Sequence, residues 1–116
     1  MAEVFLQGVF DVAGAGLQEP VLLDPSLQHT VPDGAVGRVL YFRGGNSSGE
    51  LVLAVLTRAG SPVRYFPIGA RAEVNVPLRV PVELAAGDRV EVHVAAPAGV
   101  EATVVVDLGI REDARP

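Results

Sequence analysis

Alternation with a period of two runs through most of this chain, and glycine and proline interrupt it at short intervals. That combination restricts the fold more than any other feature. In segment 88–95, Val90, Val92 and Val94 alternate with Arg89, Glu91 and His93, the pattern of a strand with one face in a core and the other in water. Segment 71–76 repeats it, with Ala72, Val74 and Val76 opposite Arg71, Glu73 and Asn75. The last run, 101–110, sets Ala102, Val104, Val106, Leu108 and Ile110 opposite Thr103, Val105, Asp107 and Gly109. Further strands are expected at 3–13, 20–24, 36–43, 50–58, 63–68 and 78–84. Turn signals separate them: Pro32-Asp33-Gly34, Gly44 to Gly49, Ala59-Gly60-Ser61-Pro62, Ala86-Gly87-Asp88 and Pro97-Ala98-Gly99.

Eight or nine short, mostly antiparallel strands at this spacing predict an all-β chain, a single β-sandwich domain of jelly-roll type. The 116 residues fit one such domain. The segment VPVELAAGDRVEVHVA is similar in form to strands of jelly-roll domains, among them trimeric recognition heads and virion proteins. The likeness is one of architecture and assigns no family. Pro77 and Pro81 lie an even number of residues apart and remove donors on one side of their strand, which marks it as an edge strand.

Composition removes several chemistries. The absence of cysteine excludes disulfides, thiolate metal sites and a cysteine nucleophile. All nine basic residues are arginine, they are scattered, and the formal charge is −5, which disfavours nucleic acid. The first residues carry an early acid and no basic leader pattern, and no apolar run reaches the roughly 20 residues of a membrane-spanning helix. The expectation is a soluble, cytoplasmic protein, or part of a particle assembled inside the cell, with no membrane or nucleic-acid partner.

GGNSSG, Gly44 to Gly49, contains a G-x-S-x-G string. In hydrolases of the α/β type that string places a nucleophilic serine between a parallel strand and a helix. Here a second apolar run, ELVLAVL, follows, and its β-branched residues favour a strand over a helix. The reading is therefore a hairpin with GGNSSG at its tip, and no catalytic residues. Asn46-Ser47-Ser48 fits a glycosylation sequon but lacks a leader, and no lysine is present to complete a phosphate-binding loop. Glu73 and His93 would supply two metal ligands if their strands paired, and two ligands do not make a site; His29 is more isolated still. Neither metal nor cofactor is expected.

Alternation breaks in three places, where both faces of a strand are apolar. Phe5 and Val9 point away from Val4, Leu6, Phe10 and Val12; strand 50–58 sets Leu51, Leu53 and Val55 against Val52, Ala54 and Leu56; and in 63–68, Val63 and Tyr65 oppose Phe66 and Ile68. A two-layer sandwich buries only one face per strand. The surplus apolar surface is covered either by loops such as 14–35 or by a subunit contact. The second reading names Phe5, Val9, Val52, Leu56, Phe66 and Ile68 as an interface, and the chain as a homo-oligomer in a closed ring such as a trimer.

Two functions follow. The first is a non-enzymatic structural or assembly protein, an accessory or virion decoration subunit that binds itself or a larger assembly. The alternative is a small-molecule or carbohydrate binding module that uses the 44–49 loop with Tyr41, Arg43, Asn46, Arg64 and Tyr65. Catalysis by His93 and Glu91 is the remaining reading and is set aside, so the chain is read as no enzyme.

Overall fold

The computed structural model describes residues 1–115. Its eight strands are β1 (Ala2–Ala13), β2 (Gln28–Thr30), β3 (Ala35–Asn46), β4 (Val52–Arg58), β5 (Ser61–Ile68), β6 (Glu73–Leu84), β7 (Arg89–Ala95) and β8 (Glu101–Ala114), with one 3-10 turn at Pro25–Leu27. They form two four-stranded antiparallel sheets, β1-β8-β3-β6 (sheet A) and β2-β7-β4-β5 (sheet B). This order is a jelly roll, as the alternation predicts. Only β4 and β5 are both consecutive and adjacent. Every other connection crosses between the sheets.

The core lies between the inner faces. Ala102, Val104, Val106, Leu108 and Ile110 of β8 and Val90, Val92 and Val94 of β7 are all buried, as their alternation requires. Phe42 of sheet A stacks on Phe66 of sheet B with ring centroids 4.4 Å apart and an interplanar angle of 9°. Each fully buried large side chain contributes about 1.5–3 kcal/mol relative to exposure. β6 is an edge strand, as its prolines indicate, and its register with β3 shifts between Val39 and Tyr41.

Three local expectations are corrected. Segment 20–24 forms only a single bridge, Val21 to Val94, while the short β2 lies just beyond it. Segments 71–76 and 78–84 merge into one strand, β6, which begins at Glu73 and leaves Arg71 and Ala72 in the preceding turn. GGNSSG is not a hairpin tip, because β3 and β4 belong to different sheets. Gly44, Gly45 and Asn46 continue β3, and the chain then crosses to sheet B. Gly44 faces the core, where a Cβ would stand 2.7 Å from Ile68 Cδ1 and 2.8 Å from the Phe42 ring. Removing that side chain lets Ile68 pack.

The crossing is held by Asn46. Its amide donates to the carbonyls of Glu50 (2.7 Å), Ile68 (3.2 Å) and Gly69 (3.1 Å), and its oxygen accepts from the Ser48 amide and hydroxyl, both at 2.9 Å. The side chain supplies partners that a sheet ladder cannot offer where the strand leaves its sheet. At the other end of the sandwich, His29 Nε2 of β2 lies 2.6 Å from Glu112 Oε2 of β8, tying sheet B to sheet A. Segment 14–35 also seals the core, burying Leu27 and Val31 completely or nearly so.

Asn46→Ala strips these carbonyls and the Ser48 amide of their partner at a buried site. Chemical denaturation should show a loss of about 2–3 kcal/mol, with an unchanged far-ultraviolet spectrum in the absence of denaturant.

Candidate functional site

The core takes the inner faces, so any binding site must be built on outer faces or loops. On the outer face of sheet A the register places residues in rows across the strands. One row is Phe5, Gly109, Tyr41 and Pro77; the next is Gln7, Asp107, Arg43 and Asn75; a third is Val9, Val105, Gly45 and Glu73. Two of these positions are glycine, and each opens the surface in its own way. At Gly109 a Cβ would fall inside the Tyr41 ring, so the glycine lets that ring settle over β8. Gly45 leaves the floor of a depression of about 620 Å³, lined by Arg43, Glu73, Asn75, Val105 and Asp107.

The polar groups at this depression are partly committed and partly free. The Tyr41 hydroxyl donates to Asp107 Oδ1 at 3.0 Å. Burial first, and then the Asp107 carboxylate, raise the pKa of Tyr41 above the usual phenol value. The hydroxyl is therefore held protonated and oriented. Among the described residues Arg43 takes part in none of the salt bridges, which leaves its planar set of donors available beside the Asn75 amide. Beyond Tyr41, the exposed Phe5 ring lines a second depression of about 310 Å³ with Glu3, Leu40, Gly109 and Arg111.

The remaining nominated residues disperse. Asn46 is buried and spent on the crossing. Arg64 donates to the carbonyls of Val63 (2.8 Å) and Val80 (3.3 Å), a fastening between neighbouring strands at the sandwich edge. Tyr65, 61% exposed, stands on the outer face of sheet B in a row with Val55 and His93. Tyr41 with Arg43 and Tyr65 with Arg64 thus belong to different sheets. Glu73 and His93 are also in different sheets, and His93 pairs instead with Glu91 at 2.9 Å. Among the described residues no three or more His, Asp or Glu side chains gather into a metal-binding group.

The nominated interface is corrected in the same way. Val52, Leu56, Phe66 and Ile68 lie in the core rather than on an outer face. Alternation identifies two faces of a strand but not which is inside; pairing of Val52 with Ile68 and Ala54 with Phe66 turns these four toward sheet A. Only Phe5 and Val9 are exposed, at 45% and 66%. Val55 on the outer face is nonetheless only 1% exposed, flanked in its row by Tyr65 and His93. On the outer face of β4, Val55 is covered and Leu53 is half-buried.

No family model and no curated protein matches the sequence. Among solved structures, the CBM36-1 domain of a multidomain xylanase from the hindgut metagenome of Trinervitermes trinervoides is similar over 90% of this chain and 96% of that one, with a TM-score of 0.51 and 14% identity. The two share a fold. The expectation of a structural or decoration subunit falls on this finding, since the domain matched end to end is a module of a xylanase, and on the burial of four of the six proposed contact residues. Gln7, Asn75, Asp107 and Gly109 escaped the sequence reading, which named Phe5 only as an interface residue. The available signal was Gly109 and Asp107 on the outward face of an otherwise valine-rich strand.

The Tyr41 geometry carries a pH dependence of stability. With the folded pKa raised, the stabilisation is fully present below about pH 10, the ordinary phenol value, and is lost as pH rises through the folded pKa. Urea titrations at increasing alkalinity should show the parent protein losing stability faster than Tyr41→Phe over that range. Parallel curves would disprove the assignment.

Proposed function

We propose that this chain is a non-catalytic carbohydrate-binding module whose ligand lies on the outer face of sheet A, beside Phe5, Tyr41, Arg43 and Asn75. The observation that carries the reading is the pairing, in adjacent rows of one exposed sheet face, of aromatic rings with planar hydrogen-bonding groups. A sugar ring presents a patch of C–H bonds and a rim of hydroxyls. Phe5 offers an apolar ring surface for the first, while the guanidinium of Arg43, the amides of Asn75 and Gln7, and the Asp107 carboxylate match the second.

Likeness of fold to the xylanase's CBM36-1 domain supports the same reading. The site is suited to holding rather than cleaving. The Asp107 carboxylate already accepts the Tyr41 hydroxyl, and the face is an open depression with no enclosed cleft. Both properties favour reversible association with a polymer surface.

Affinity electrophoresis in gels containing xylan or mixed-linkage glucan tests this directly. Retardation is expected for the parent protein, and Phe5→Ala and Arg43→Ala should each weaken binding by about tenfold, a typical loss for a central contact. Tyr65→Ala, on the opposite sheet, should leave it unchanged. Retardation that depends on Tyr65 and not on Phe5 would move the site to sheet B.

A further inference from the structure

Three of the depressions on the outer face of sheet A succeed one another along β8 from Arg111 to Glu101. The first is lined by Phe5, Tyr41, Gly109 and Arg111, the second by Arg43, Gly45, Val105 and Asp107, and the third by Asp11, Ser47, Glu101 and Thr103. β8 contributes outward residues 111 and 109, then 107 and 105, then 103 and 101. Ten residue steps of an antiparallel strand span about 34 Å. The molecule is 48 Å in its longest dimension, so the track occupies most of its length.

Between the second and third depressions the surface stays open. Val105 and Val9 are 45% and 66% exposed there, giving an apolar stretch with no element laid across it. In the third, the Thr103 hydroxyl lies 3.0 Å from Asp11 Oδ1, and Ser47 Oγ accepts the Thr103 amide at 2.8 Å. These contacts hold Asp11, Ser47 and Thr103 in fixed positions on the surface. A pocket for one terminal sugar would be closed around it. These depressions instead lie open in a row along β8, with the Tyr41–Asp107 hydrogen bond between the first and the second.

Its charge is one-sided. The side chains lining the three depressions include the carboxylates of Glu3, Asp107, Glu73, Asp11 and Glu101 against the guanidiniums of Arg43 and Arg111. Of the two arginines, Arg111 already has Asp113 Oδ2 at 3.4 Å from its Nε. At the Asp11–Glu101 end no cationic side chain lines the surface. Carboxylates accept hydroxyl donors well, and they repel a ligand that carries carboxylates of its own.

Building on the carbohydrate reading, we infer that the ligand is an internal run of an uncharged, linear polysaccharide laid parallel to β8, and that uronic-acid polymers are excluded by the acidic end of the track. The aromatic end takes the C–H face of one unit, the middle holds hydroxyls at Arg43 and Asn75, and the far end adds contacts at Thr103 and Asp11. Binding therefore accumulates with chain length.

Calorimetric titration of the whole protein with xylo-oligosaccharides from disaccharide to hexasaccharide, and with polygalacturonate at low and high salt, tests both parts. Affinity should rise by about tenfold or more from the shortest to the longest, and polygalacturonate should bind at least about tenfold more weakly than a neutral xylan at low salt. Glu101→Gln, which removes a carboxylate from the acidic end and none of the proposed ligand contacts, should narrow that gap while neutral binding barely changes. A disaccharide bound as tightly as the hexasaccharide, or polygalacturonate bound at parity with xylan, would overturn the inference and leave the carbohydrate reading standing. Binding to no neutral glycan would overturn both.

Discussion

Face-to-face packing of the two sheets, centred on the Phe42–Phe66 stack, is the constraint on which everything else in this molecule depends. Only β4 and β5 form a local hairpin, so nearly every strand finds its neighbours across long stretches of sequence. Such pairings have little local structure to guide them, and the inner apolar faces specify their register instead. Gly44 shows how closely the packing is drawn, since even a methyl group there would meet Ile68 and Phe42. The same topology makes the chain cross repeatedly between sheets, where ladder partners run out. Asn46 supplies partners at one crossing, and the His29–Glu112 pair fastens the two layers elsewhere.

Burial of the inner faces confines recognition to the outer ones, and the two outer faces are not alike. On sheet B, Val55 is hemmed in by Tyr65 and His93, and His93 is engaged by Glu91. On sheet A, glycine at positions 45 and 109 lowers the surface along β8, so that side chains from neighbouring strands border a trough. Glycine in a strand interior weakens the strand and marks close approach. Here the ring of Tyr41 makes that approach at Gly109, and the missing side chain at Gly45 leaves the depression open. A backbone concession thus shapes the surface proposed for binding.

The strands of this fold were legible wherever one face is apolar and the other polar. Segments 88–95 and 101–110 are inward and outward as their alternation states, and Pro77 and Pro81 do lie on an edge strand. Legibility failed where both faces are apolar. Val52 and Leu56 read as well outside as inside, and the choice was made by pairing with β5. The GGNSSG segment read as a hairpin because its flanks are both strands, and local chemistry does not reveal that those strands belong to different sheets. Of the candidate site, Tyr41 and Arg43 were nominated from their residue types, whereas Gln7, Asn75 and Asp107 are ordinary outward polar residues until the register aligns them.

Sequence alone determined that this chain is an all-β sandwich, because a period of two with frequent turn residues admits few other solutions and each strand carries its own copy of that signal. It also determined much of the core, since alternation is a property of neighbouring residues. Tertiary structure alone decided which tyrosine stands beside which arginine, which apolar face is buried, and that three shallow depressions line up along β8. Those are relations between strands up to a hundred residues apart, set by hydrogen-bonded register and by the order of strands in each sheet. No local pattern encodes them, because the energy that selects them resides in the packed core as a whole.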